Sequence, residues 1–129
     1  MNVDVGRAGD FIAAAALSRM GVQNVISQQP GFDLVAFVPK PVRIEVKTAS
    51  MPAAENKRRY SFITSRGTKK KIRLSAKVAD VVCLVALPER CALFKLIGNI
   101  TGSNTRILIE EFTPGNETAS WLDVMERLQ

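Results

Sequence analysis

Apolar residues recur along this chain with two different periods, and the changes of period divide it into elements. In "RAGDFIAAAALSRM" (7–20), Ala13, Ala14, Leu17 and Met20 fall on one helical stripe, and Gly21 supplies the stop. The period then shortens. "NVISQQ" (24–29) suits a short strand, Pro30-Gly31 a turn, and 32–38 and 42–48 a hairpin turning at Pro39-Lys40-Pro41. "MPAAEN" interrupts the pattern before "RRYSFITS" (58–65), which alternates as a strand. "RGTKKK" is a basic turn or loop. "ADVVCLVAL" (79–87) is continuously apolar, as expected of a strand buried on both faces, and "CALFKLI" (91–97) returns beside it after Pro88-Glu89-Arg90. "GNITGSNT" is a polar loop and "RILIEEF" an edge strand. In the closing "ETASWLDVMERLQ", Trp121, Leu122, Met125 and Leu128 return to helical spacing, with Trp121 assigned to packing. Helix, strands, helix is an α+β order rather than an alternating β/α one, and 129 residues make a single domain.

Composition narrows the chemistry. The chain is 47% hydrophobic, which suits a packed core. No run approaches eighteen apolar residues, and the N-terminus lacks the basic start of a signal peptide, so a cytoplasmic protein without membrane partners is expected. With no His and two Cys, a zinc site and a Ser-His or Cys-His nucleophile are excluded; Cys83 and Cys91 read as small buried hydrophobes, possible neighbours across a hairpin. Any metal would be hard and oxygen-bound. Charge is concentrated. Between residues 53 and 77, Lys57, Arg58, Arg59, Arg66, Lys69, Lys70, Lys71, Arg73 and Lys77 face one acid, Glu55. That local +8 lies in a chain of net charge +6 and points to a polyanion, with nucleic acid ahead of membrane.

The hairpin "FDLVAFVPKPVRIEVKTAS" holds Asp33 on one arm and Glu45 and Lys47 on the other. A turn centred on Lys40 makes partner numbers sum to 80, so that Asp33 faces Lys47 and Val35 faces Glu45. Side chains of one parity share a face, with opposite positions about 5 Å apart. A cross-strand Asp33–Lys47 ion pair with Glu45 solvated is one reading of this trio; a reaction site is the other. Asp10 bears on the choice, because it shares the stripe of Ala13, Ala14 and Leu17, although a first-turn acid also suits a helix dipole. Three carboxylates and an ammonium brought together suit Mg²⁺ and phosphoryl chemistry. Asp80 could be a fourth carboxylate but reads better as a structural acid at a turn or paired with Lys77.

The ordered set "GRAGDFIAAAALSRMG", "PGFDLVAF" and "RIEVKTAS" resembles the PD-(D/E)xK nuclease superfamily over about residues 6–50. Asp33 matches the motif's Asp, Glu45 its acid and Lys47 its Lys. Gly9-Asp10 matches the helical "G-E", with the shorter Asp in place of Glu, and Pro30 stands three residues before Asp33. The later strands and basic loop look more like the small intron homing endonucleases than the Holliday junction resolvases. The resemblance implies a restriction-endonuclease-like mixed β-sheet flanked by helices. It implies Mg²⁺-dependent hydrolysis of double-stranded or branched DNA, with Mn²⁺ as a substitute cofactor. It also implies metal ligation by Asp33, Glu45 and Asp10, Lys47 on the water or phosphate, and a homo-oligomer, dimer or tetramer. DNA contacts are expected from Arg58, Arg59, Tyr60, Ser61, Arg66, Lys69, Lys70, Lys71 and Arg73. A non-catalytic nucleic-acid-binding module and a metal-dependent RNase stand as alternatives.

Overall fold

A computed structural model describes residues 4–27, 31–66, 72–73 and 79–128. Its first element is α1 (Val5–Arg19), capped by Asp4, whose carboxylate accepts the Arg7 N–H at 3.0 Å. Three antiparallel strands follow, β1 (Gln23–Ile26), β2 (Leu34–Phe37) and β3 (Pro41–Ala49). β4 (Arg59–Ile63) leaves their sheet, and the two-residue strands β5 (Ser65–Arg66) and β6 (Ile72–Arg73) pair with each other. The chain returns through β7 (Val81–Ala86) and β8 (Cys91–Leu96), then runs through β9 (Asn104–Leu108) into α2 (Pro114–Leu128).

The main sheet has the order β1-β2-β3-β7-β8; β3 and β7 are parallel and its other pairs antiparallel. All six residues of β7 are buried, because both faces of this strand are covered. On one face, Leu34, Ala36, Val42, Ile44, Val46 and Cys83 pack against Ala13, Ala16 and Leu17 of α1 and Trp121 and Val124 of α2. Trp121 meets Phe94 edge to face at 5.1 Å. On the other face, Val82, Leu84 and Leu93 pack under Tyr60, Phe62, Ile107 and Phe112. Those four come from the antiparallel β4–β9 ladder and the turn after it. The architecture is therefore α+β in three layers: two helices, a mixed five-stranded sheet, and a two-stranded ribbon.

Both helices share one face, tied by Glu117. This buried carboxylate of α2 meets Arg19 of α1 at 3.0 Å and accepts the Ala92 N–H of β8 at 2.8 Å. The cysteines are free and buried, and each is a small hydrophobe as expected; burial pushes the Cys91 thiol up to about 12. Cys91 pairs with Ala86 and Cys83 with Phe94, so the two thiols serve cores on opposite faces rather than facing each other. Among the described residues, no helix is long and apolar enough to cross a membrane.

Candidate active site

The site is organised by where β2 stops pairing with β3. Paired residues in this hairpin sum to 78, as Leu34↔Ile44 and Val35↔Arg43 show, and not to 80. The expected placement of Asp33 opposite Lys47 is thereby corrected. The turn sits one residue earlier than the Pro39-Lys40-Pro41 symmetry suggested, which shifts the register by two and preserves parity. Past Ile44, β3 continues beside β7 as far as Ala49 without β2. Asp33 occupies this point of divergence. Its N–H donates to the Ile44 carbonyl at 2.8 Å, and its Oδ2 accepts the Val46 N–H at 2.7 Å. The Asp carboxylate is thus fixed against the middle residue of Glu45-Val46-Lys47. A carboxylate has two oxygens, and this bond uses one.

Glu45 and Lys47 are two apart on β3 and share the face turned from the helices, while Val46 enters the helix-side core. Glu45 is buried at 8% exposure, and Lys47 Nζ lies 3.5 Å from its Oε1. Lys47 therefore pairs with Glu45, its neighbour on the strand. An ionised Glu at this depth requires such compensation.

Asp10 approaches from α1. It is half-buried, and its carboxyl is pushed up to about 6 by burial first, then by the charges of Asp33 and Glu45, with Asp4 adding and Arg7 opposing. The inward placement expected from the stripe is observed: Ala13 and Leu17, three and seven residues on, are fully buried. The helix seats itself on β3 through Gly9, where a Cβ would overlap the Thr48 hydroxyl. Thr48 Oγ1 is buried and finds no hydrogen-bond partner among the described residues. Thr48 was not singled out from sequence; its adjacency to Lys47 was the available signal.

Asp80 takes the structural role. Its carboxylate accepts from Arg43 Nη2 at 3.1 Å, Arg43 Nε at 3.2 Å and the Arg43 N–H at 2.9 Å. Burial alone would raise it, but these bonds outweigh burial and hold it below the usual carboxylate range. Lys77, the partner considered from sequence, lies outside the described residues.

The expected DNA-contacting residues separate. Arg58 is exposed, and Arg59 and Ser61 are half-exposed on the outer side of β4. Tyr60 is corrected: it is 1% exposed, edge-on to Phe112 at 5.5 Å, with its hydroxyl 3.4 Å from Glu89. Alternation on β4 turns the two aromatics into the core and leaves the polar residues outside. Arg66 and Arg73 fall in the paired strands β5 and β6, and Lys69, Lys70 and Lys71 lie outside the described residues.

The donors suit a hard cation. Asp33, Glu45 and Asp10 offer carboxylate oxygens, and their mutual repulsion at Asp10 is what a bound cation would relieve. They stop short of a ready-made cage, because no group of three Cys, His, Asp or Glu side chains among the described residues is close enough to hold a metal ion. Mg²⁺ is commonly held by one or two protein carboxylates and several waters, so a three-carboxylate cage is not a requirement for it.

No protein-family model matches the chain, and no curated protein matches it. A solved structure does match: that of the bacterial homing endonuclease I-Ssp6803I, at a TM-score of 0.75 over 96% of this chain and 93% of that one. The fold is homing-endonuclease-like. At 14% identity the likeness lies in the path of the backbone.

Proposed function

We propose that this protein is a Mg²⁺-dependent DNA endonuclease of the PD-(D/E)xK type, homing- or restriction-like, acting as a homo-oligomer. The observation that carries the reading is the bond from Val46 N–H to Asp33 Oδ2, which holds the Asp against the Glu-x-Lys strand. The homing-endonuclease-like fold and the half-buried Asp10 beside the same strand support it.

Asp33 and Glu45 would hold the cation, with Asp10 as an accessory ligand. When bound, Mg²⁺ supplies charge stabilisation at phosphorus and acidifies a coordinated water. Lys47 is the cation that β3 would bring beside Glu45. Its ammonium, paired with Glu45, would orient the attacking water or stabilise the charge developing on the phosphate as the bridging oxygen leaves. Asp33 is kept in position by a backbone donor, so its orientation does not depend on a second flexible side chain.

A cleavage panel in Mg²⁺ or Mn²⁺ tests this, using duplex, four-way-junction and single-stranded DNA, with RNA for the ribonuclease alternative. Wild type should cut at least one DNA substrate in Mg²⁺. Glu45→Ala should lose at least 10²-fold in rate while DNA affinity stays within a few-fold. A second reading, a non-catalytic DNA-binding module, draws on the Glu45–Lys47 ion pair and on the lack of a three-carboxylate cage among the described residues. Wild type that binds DNA and cuts none of the panel would establish that reading instead. Selective cutting of the junction would assign a resolvase activity.

A further inference from the structure

The outward face of the β4–β9 ribbon is unused by the site. Its register pairs Arg59 with Leu108, Ser61 with Arg106 and Ile63 with Asn104. Tyr60, Phe62 and Ile107 are buried against the main sheet, so these six alternate residues form the other face. Asn104 is exposed, Arg106 has a half-exposed side chain, and Ile63 is 57% exposed. Such a face is too polar to be a second core and too apolar to be only solvated. Before its β4 end lie exposed Lys57 and Arg58.

We propose that this ribbon enters the major groove of duplex DNA, with Arg59 and Arg106 on phosphates or guanine edges, Asn104 on adenine, and Ile63 against a thymine methyl. The proposal rests on the nuclease reading for its substrate class. Two strands about 5 Å apart fit a groove about 12 Å wide, and Arg, Asn and an apolar side chain match the groove's acceptors, donor–acceptor pairs and methyl groups. The ribbon is stiff at the Ile63 end, where Thr64 N–H donates to the Ser103 carbonyl at 2.8 Å and the Thr64 and Thr105 hydroxyls meet at 3.1 Å. Stiffness of this kind keeps four side chains in register with base edges. Glu55 lies 3.5 Å from Arg106 and competes with DNA for it.

The test is mobility-shift binding of the full chain in EDTA, so that binding is read without cleavage. The probes are a fixed 30-bp duplex and a pool of duplexes with a randomised centre. Arg59→Gln with Arg106→Gln should weaken binding about tenfold or more and lower the slope of log affinity against log salt by about 2, whereas the Lys versions keep the slope. Asn104→Ala should change the sequences enriched from the pool. Glu55→Gln should tighten binding, and the gain should vanish with Arg106→Gln present. Unchanged affinity and slope in the double Gln variant, with melting unaltered, would overturn the assignment, as would absence of duplex binding by wild type. An unchanged enriched pool in Asn104→Ala would overturn base reading by that residue. A wild type that cuts no DNA but binds through Arg59 and Arg106 leaves the ribbon standing and removes the nuclease. A double Gln variant that binds and cuts as wild type does the reverse.

Discussion

Asp10 shows what one residue can report about a site. Its carboxyl titrates near 6 in the fold against an ordinary 3.8, because burial and two neighbouring acids oppose its charge. A raised carboxyl pKa means that the folded state binds the proton more tightly than the unfolded chain. The resulting stability is complete below about pH 4 and is lost as pH rises through about 6. Asp10→Asn should therefore match wild type in urea unfolding near pH 4 and exceed it at pH 8. The excess should be about 1 kcal/mol, after allowing for solvent screening around a half-exposed group. Added Mg²⁺ should narrow the difference at pH 8, since a cation relieves the same repulsion. Equal stability at both pH values would mean that the three carboxylates do not interact. At this scale the lack of His in the sequence turned the expectation toward oxygen ligands. The sequence could not say that Tyr60 is core, since alternation alone does not reveal which side of a strand is covered.

The elements carry the site through one close approach, between Gly9 of α1 and Thr48 of β3. Each neighbours a residue of the candidate site, Asp10 in one case and Lys47 in the other, so on the proposed reading this contact would set the distance between the two halves of the site. Gly9→Ala should push the helix off the strand, cost about 1–3 kcal/mol and lower cleavage. Combining it with Thr48→Ala, which removes the overlapping hydroxyl, should recover part of both losses. Melting curves and single-turnover cleavage rates on the four variants of that cycle give the coupling directly. Full additivity would show that the contact does not position the helix. The elements themselves were legible because their periods are strong: both helices, the β2–β3 hairpin and the apolar β7–β8 pair lie where the pattern put them. The hairpin register was not legible. It depends on which residues form the turn, and two prolines around Lys40 suit more than one turn.

The whole molecule places three layers so that the candidate site and the polar ribbon lie on the same side of the main sheet. Glu45 and Lys47 share the sheet face covered by β4 and β9, and both helices occupy the opposite face. On the proposed reading such a domain would present one face to a duplex, and cutting both strands would call for a second copy. Sedimentation velocity of the free and DNA-bound protein should show a dimer or a tetramer; a monomer in both states would remove the oligomer from the proposal. The edge strand β1 exposes Val25 at 52% and Ile26 at 37%, so the main sheet retains an uncovered apolar rim in the single chain.

Local physics was enough for the α+β class, the helix that carries Asp10, the strand that carries Glu45 and Lys47, and the concentration of positive charge. Each depends on residues close together in the chain, and side-chain periodicity records them. Three matters waited for the folded chain: that Asp33 reaches the Val46 N–H, that Lys47 pairs with Glu45, and that the outer face of β4 is completed by Asn104 and Arg106 from a strand some forty positions later. These depend on register and on which face another layer covers, and pairing between distant segments leaves no period in the sequence of either one.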